Sequence, residues 1–262
     1  MSKSSGSSFI IELVSNASTE IYPDNTLSSF TNFLPEQVTL DDDSEWEVAV
    51  MEISHPTRYN NIVDGHIRYV HQYNEGSPVH EFKIPAGFYP SIHDVVKVIS
   101  DEIDDFNNAN VYFNVNDLNG KLLFFWESKD SRLNLASPDV AHIMGYSNPC
   151  VIPPSQKESN LPVDIQRIHT IMIYTDIIEH GIIGNAKAPI LRCFPFMPRI
   201  RNGDLEFSHN MNYRAFEQLQ FRRVLKNSFH SIKIELRDST GEKIPFAGVG
   251  ITRLTLMFRR VQ

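Results

Sequence analysis

Apolar and polar residues alternate with a period of two along most of the chain. Phe9, Ile11 and Leu13 interleave with Ile10, Glu12 and Val14, and Trp46, Val48 and Val50 mark the run from Glu45 to Ile53. Ile67 and Tyr69 do the same between His66 and Gln72. Further on, Ile171 and Ile173 alternate with Met172 and Tyr174, and Ile232, Ile234 and Leu236 with Ser231, Lys233 and Glu235. Leu254, Leu256 and Phe258 close the series, and Pro189–Phe196 adds a short apolar run. A period of two is the mark of a strand with one buried face, because successive side chains leave opposite sides of the backbone. Pro23, Asp24 and Asn25 favour a turn, as do Asp238 to Gly241. Many short strands broken by turn signals predict an all-β sandwich or barrel. No segment repeats at a fixed period, which removes propellers and solenoids.

Residues 80–146 read differently. A short strand over Glu81–Pro85 precedes Ser91, which has Asp94 three residues on, an approximate capping box. Ile92, Val95, Val96, Ile99 and Ile103 then follow at helical spacing. Two strands, Asn110–Val115 and Lys121–Trp126, bracket an Asn119-Gly120 hairpin signal. Ser137 as cap and Pro138 at the first helical position start a second, short helix, and Gly145 stops it. The pattern predicts a small α+β insertion, β-α-β-β-α, at 80–146. The segments 9–79 and 147–262 form the β-domain around it, and the Ser-rich residues 1–8 form a disordered N-terminal arm.

The chain has 262 residues, 41% of them apolar, enough for a real core. Its longest unbroken apolar run, Leu122 to Trp126, is far below the roughly 20 residues that span a bilayer. No leader segment is visible at the N-terminus, and Cys150 and Cys193 are too few for a disulfide framework or a zinc site. A soluble protein made in a reducing compartment is expected, with no membrane contact and both cysteines reduced. Residues 199–262 hold 12 Lys/Arg against 6 Asp/Glu, whereas the rest holds 12 against 26. The net charge of −8 therefore conceals a split of +6 against −14. Surfaces of opposite sign result if the fold keeps the two parts apart.

Chemistry is sparse. Neither common nucleotide-binding loop occurs, and Gly181 and Gly184 suit a turn better than a phosphate cradle. The ten histidines are scattered, with no metal-binding spacing among them. Asp41, Asp42, Asp43 and Glu45 lack the alternation of a calcium loop and read as a solvated acidic turn. No serine or cysteine sits in a nucleophile motif. No catalytic, cofactor-binding or metal-binding residue is assigned, and no cofactor is expected. The remaining candidates are basic: Arg199, Arg201, Arg222 and Arg223, with Arg259 and Arg260 beside them. Such residues contact nucleic-acid phosphate or an acidic neighbouring subunit, or they are strand-end charges that block edge pairing. No aromatic residues interleave with them as in a base-stacking platform.

Several segments taken in order carry a resemblance. They are Phe9–Val14, Tyr22–Pro35, Trp46–Ile53, Ile84–Ser91, Ile173–Glu179, Pro189–Cys193, Ile234–Gly241 with Ile244–Phe246, and Leu254–Arg260. This order resembles the minor capsid (penton) proteins of Maverick/Polinton virus-like transposons and their virophage relatives, from about residue 9 to 261. The resemblance implies a single eight-stranded jelly-roll β-sandwich and homopentamers at the fivefold vertices of an icosahedral capsid. It implies major capsid protein neighbours of the double jelly-roll type, non-specific contact with packaged DNA, and a place in the virion. Synthesis in the host cytoplasm follows, with the nucleus a candidate site of assembly. Length agrees with one sandwich: once 80–146 is removed, 195 residues remain, against on the order of 150–200 for each sandwich.

Two other classes stay open at this point. One is a β-sandwich attachment or ligand-binding module that grips through a loop or the insertion. The other is a cupin-type enzyme, which needs a His-rich metal cluster that the sequence does not show.

Overall fold

A computed structural model describes residues 8–41, 43–70, 79–107, 111–197, 199–201, 204–206, 210–248 and 250–261. The chain opens with β1 (Ser8–Val14), β2 (Ser29–Thr39) and β3 (Trp46–Pro56). Then come β4 (His66–Val70), β5 (Val79–Lys83), α1 (Ile92–Asn107), β6 (Val111–Val115), β7 (Lys121–Trp126) and β8 (Arg132–Leu135). Next are α2 (Pro138–Ile143), β9 (Cys150–Ile152), β10 (Glu158–Pro162) and β11 (Thr170–Thr175). A hairpin of β12 (Gly181–Ile183) and β13 (Ala186–Ala188) leads to β14 (Ile190–Pro195), and a second hairpin pairs β15 (Arg199–Arg201) with β16 (Asp204–Glu206). The chain ends with β17 (Met211–Ala215), β18 (Arg222–Arg223), β19 (Ser228–Arg237) and β20 (Arg253–Arg260).

Strand order decides the architecture. One sheet runs β1-β20-β3-β17, with β18 continuing the place of β17 along β3, and the other runs β14-β11-β19-β2. Both are antiparallel throughout. Counting β17 and β18 as one broken strand, eight strands form two four-stranded sheets, and the chain changes sheet at every step except β11 to β14, the two interleaved Greek keys of a jelly roll. The β-sandwich is therefore a single jelly roll. Its core joins Leu13, Val48, Val50, Leu254, Leu256 and Phe258 from the first sheet with Phe30, Ile173, Leu191, Ile232 and Ile234 from the second. At one lateral edge β1 lies over β2, where Asn32 Oδ1 accepts from Val14 N at 2.7 Å. At the other, β17 lies over β14, and Arg214 reaches the ring of Phe194.

By its contacts the chain divides into two units. The jelly roll takes residues 1–59, 168–197 and 207–262; the second unit takes 60–167 and 198–206. The segment 80–146 lies inside the second unit, whose bounds are wider. Two sheets, β5-β4-β8-β9 and β10-β7-β6, form this unit with α1 and α2. Its own core includes Ile67, Tyr69, Val95, Ile99, Leu122, Phe124, Leu133 and Val140. The predicted caps are in place. Asp94 Oδ2 accepts from Ser91 N (3.1 Å) and Ser91 Oγ from Asp94 N (3.3 Å), while Ser137 caps α2. Gly145 adopts a φ of +84°, and a Cβ there would meet the Leu161 carbonyl oxygen at 2.2 Å.

Three expectations change. Of the run at 66–72, the described part, His66–Val70, belongs to the second unit, because Ile67 pairs with Phe82 and Leu135 rather than with a sandwich strand. Alternation identifies a strand but not its sheet. Residues 1–7 of the predicted arm lie outside the described residues, and Ser8 is already in β1, opposite Arg259. β2 went unread because Asn32 occupies a core position, buried, and interrupts the apolar alternation between Phe30 and Leu34. No helix among the described residues is long and apolar enough to cross a membrane.

Candidate functional site

The four basic candidates fall in different units. Arg199 and Arg201 lie in β15, at register positions opposite Glu206 and Asp204 of β16. Arg222 and Arg223 form β18, opposite Val48 and Glu47 of β3. Arg223 is engaged within its own chain, with Glu45 at 2.8 Å and Glu179 at 3.5 Å. Arg222 is exposed. Arg259, on the other side of β3, forms two hydrogen bonds to Glu47 (3.0 and 2.8 Å) and lies 3.5 Å over the Phe221 ring.

This pairing extends through the basic C-terminal quarter. Lys226 meets Asp176 (2.8 Å), and Arg253 meets Glu12 (2.9 Å). Lys233, Arg237 and Lys243 surround Glu235 at 2.8, 2.5 and 3.6 Å. Burial pushes Glu235 up, but hydrogen bonds and charge from Lys233 and Arg237 outweigh it and hold its carboxyl at about 2. Much of the +6 surplus is thus answered by acids drawn from elsewhere in the chain.

Arg214 of this quarter and Arg192, which precedes it, are held differently. Arg192 lies 4.0 Å over the ring of Phe216, and Arg214 lies 5.6 Å from the same ring and 5.3 Å from that of Phe194. Each donates one hydrogen bond to a backbone carbonyl, Arg192 to Gln218 (2.7 Å) and Arg214 to Pro195 (3.2 Å). Arg192 Nε is buried without a partner among the described residues, and neither side chain has a carboxylate at ion-pair distance there. Burial and the charge of Arg214 both lower the pKa of Arg192. Two cations thus share one aromatic support with no acid between them among the described residues. Sequence reading missed this pair, since Arg192 is hidden in the apolar run 189–196 and only the fold brings Arg214 beside it.

The outer face of the first sheet carries a groove of about 630 Å³, lined by residues that include Glu12, Glu52, Ser54, Tyr213 and Arg253. Glu52 accepts hydrogen bonds from Tyr213 (2.5 Å) and Thr255 (3.0 Å), which lower its pKa. Deeper in the same unit, His55 is fully buried among Phe194, Phe196 and Phe246. Its Nδ1 donates to the Pro56 carbonyl at 2.7 Å, which leaves Nε2 unpartnered. Loss of hydration lowers its pKa to about 4, so the ring is neutral at pH 7. Among the described residues no three His, Cys, Asp or Glu side chains gather so as to hold a metal ion. Cys150 and Cys193 are free thiols, and burial raises both pKa values, which weakens them as nucleophiles.

These surfaces offer charge pairs, an arginine pair on an aromatic support and an open groove. The chain is similar in structure to a mavirus penton protein. Sequence identity is 11%, the match covers 97% of this chain and 100% of that one, and the TM-score is 0.47. A chain of the Sputnik virophage, solved by cryo-EM, is likewise 11% identical over 97% of this chain and 98% of its own, with a TM-score of 0.48. No family model matches the sequence, and no curated protein does. No residue role is carried over from either structure.

Proposed function

We propose that this chain is a structural minor capsid protein, a penton. It forms homopentamers at the fivefold vertices of an icosahedral virus-like capsid, next to major capsid protein of the double jelly-roll type. The observation that carries the reading is the interleaved eight-strand order of the sandwich, whose two lateral edges are chemically different. A body with unlike edges joins its copies head to tail, and such contacts close into a ring when the rotation allows. Fivefold closure rests on the ordered sequence segments that resemble Maverick/Polinton pentons. Light scattering on the purified chain at micromolar concentration tests it. Five chains of 30.0 kDa give about 150 kDa, whereas a persistent monomer or a trimer overturns the reading. Contact with packaged DNA through Arg199, Arg201, Arg222 and Arg223 is a subsidiary part of the proposal. It requires weak, sequence-independent and steeply salt-sensitive binding. Arg222 has more charge to give than Arg223, which already neutralises Glu45 and Glu179.

One observation favours a second reading, an attachment or ligand-binding module. In the groove, Tyr213 is 63% exposed beside Glu52, Ser54 and Arg253. An open aromatic ring flanked by oriented polar groups suits a sugar. Glycan binding by a monomer, lost in Tyr213→Ala, would promote this reading over the penton.

A further inference from the structure

We infer that the β1–β2 edge of one copy docks on the Arg192–Arg214 edge of the next. The inference rests on the ring reading above and names the two faces that meet. Residues 8–45 contain no Lys, Arg or His, but eight acids: Glu12, Glu20, Asp24, Glu36, Asp41, Asp42, Asp43 and Glu45. Glu12 and Glu45 are occupied by Arg253 and Arg223. Glu20, Asp24 and Glu36 are exposed and have no ion pair among the described residues. They lie in β2 and in the connection that leads into it. Ile21, 55% exposed, and Phe33, 46% exposed, provide apolar surface on the same segment.

The opposite edge presents the reverse. Arg192, 4.0 Å over Phe216, and Arg214, 5.3 Å over Phe194, offer guanidinium groups without a carboxylate among the described residues on an aromatic backing. Aromatic and arginine side chains of this kind dominate interface energetics, and complementary charge fixes the partner and the register. A two-fold contact would set arginine against arginine, or acid against acid. A head-to-tail contact alone uses both edges. Strand addition is not the mode, because the outer backbone of β2 is already capped. Asn25 Oδ1 accepts from Thr31 N (2.8 Å), and Ser18 Oγ accepts from Phe33 N (2.9 Å). The contact is therefore made by side chains, and carboxylates meet the terminal guanidinium groups of Arg192 and Arg214, each of which spends one hydrogen bond on a backbone carbonyl.

Three variants of the full chain test this by light scattering and sedimentation. The first carries Glu20→Lys, Asp24→Lys and Glu36→Lys; the second carries Arg192→Glu and Arg214→Glu; the third combines all five. Each single-edge variant is expected to weaken assembly roughly 30-fold or more. The combined variant restores it, and the wild-type ring loosens as salt rises. The acid-side changes lie on exposed residues without an ion pair among the described residues, so that variant melts as the dissociated wild-type chain does at high dilution and carries the test alone if the arginine variant does not fold. A wild-type monomer overturns the ring reading and this inference with it. A wild-type pentamer that survives the acid-side reversal, or that the combined variant fails to restore, overturns only the choice of faces. Loss of DNA retention in the arginine variant with assembly intact assigns Arg192 and Arg214 to phosphate and overturns it also.

Discussion

In the jelly roll, residues 8–14 pair with residues 253–259, so the first and last strands close a loop of nearly the whole chain. In the second unit, residues 111–115 pair with 122–126, and a short turn with Gly120 at φ +67° suffices. Closing long loops costs entropy before any contact rewards it, and folding slows accordingly. One unit is thus made of distant partners and the other mostly of neighbours. The difference separates a part whose structure is set locally from a part that exists only once its ends have met.

The sharpest way to break this comparison is to damage each core alone. Phe258 stacks on Phe9 (4.7 Å) and lies 5.9 Å from Phe229 in the sandwich, whereas Phe124 packs at 5.8 Å against Phe113 in the second core. Phe258→Ala and Phe124→Ala should each cost about 3–5 kcal/mol. Hydrogen exchange should then speed up in β3, β19 and β20 for the first variant and in β6 and β7 for the second. Loss of protection in both units from either change would mean that they unfold as one.

Acid separates the units next. The unfolded chain binds a proton on His55 near 6.5, the folded chain only near 4. Stability from this group is therefore complete above about 6.5 and is lost as pH falls to 4, about 3 kcal/mol in all. Denaturant melts of the sandwich across this range should show the loss, and His55→Met should flatten it. Glu235 acts lower down: its contribution is complete above its ordinary carboxylate range and is lost as pH falls toward 2. A smaller effect belongs to the second unit. Ser91→Ala removes the cap of α1 and should cost about 1 kcal/mol, visible as faster exchange in the first turn of α1. Smallest of all is the double change Cys150→Ser, Cys193→Ser. Both thiols are free, so assembly and melting should be unchanged within about 0.5 kcal/mol.

What could be read in the sequence follows the same division. Ser91, Asp94, Asn119, Gly120, Ser137 and Pro138 announce their elements because their partners lie a few residues away. The sandwich strands were visible as alternation, except where Asn32 filled a core site by hydrogen bonding to both polar groups of Val14. Nothing local distinguished the sheet to which His66–Val70 belongs. The arginine pair was equally silent, since Arg192 and Arg214 are 22 positions apart and only the folded edge sets them over one ring. The basic quarter was legible as a count, but the count could not say that Glu12, Glu45, Glu47, Asp176 and Glu179 would answer so many of its charges.

The neck of the second unit has its own implication. Asn61, fully buried, donates to the carbonyls of Tyr89 (2.8 Å) and Ile165 (2.9 Å), and its own carbonyl accepts from Arg167 at 3.2 Å. Arg167 in turn grips Asp139 at 2.9 Å. Entry and exit of residues 60–167 are therefore buckled together from within. A flexible loop of that length would burden the sandwich with about 4 kcal/mol of closure entropy. A segment that fastens its own ends spares its host that cost and arrives as a short link. The buckle turns the passage from β3 to β11 into a socket. Any module that brings its own clasp fits there, and the jelly roll is free to exchange its insert without recutting the strands that hold it.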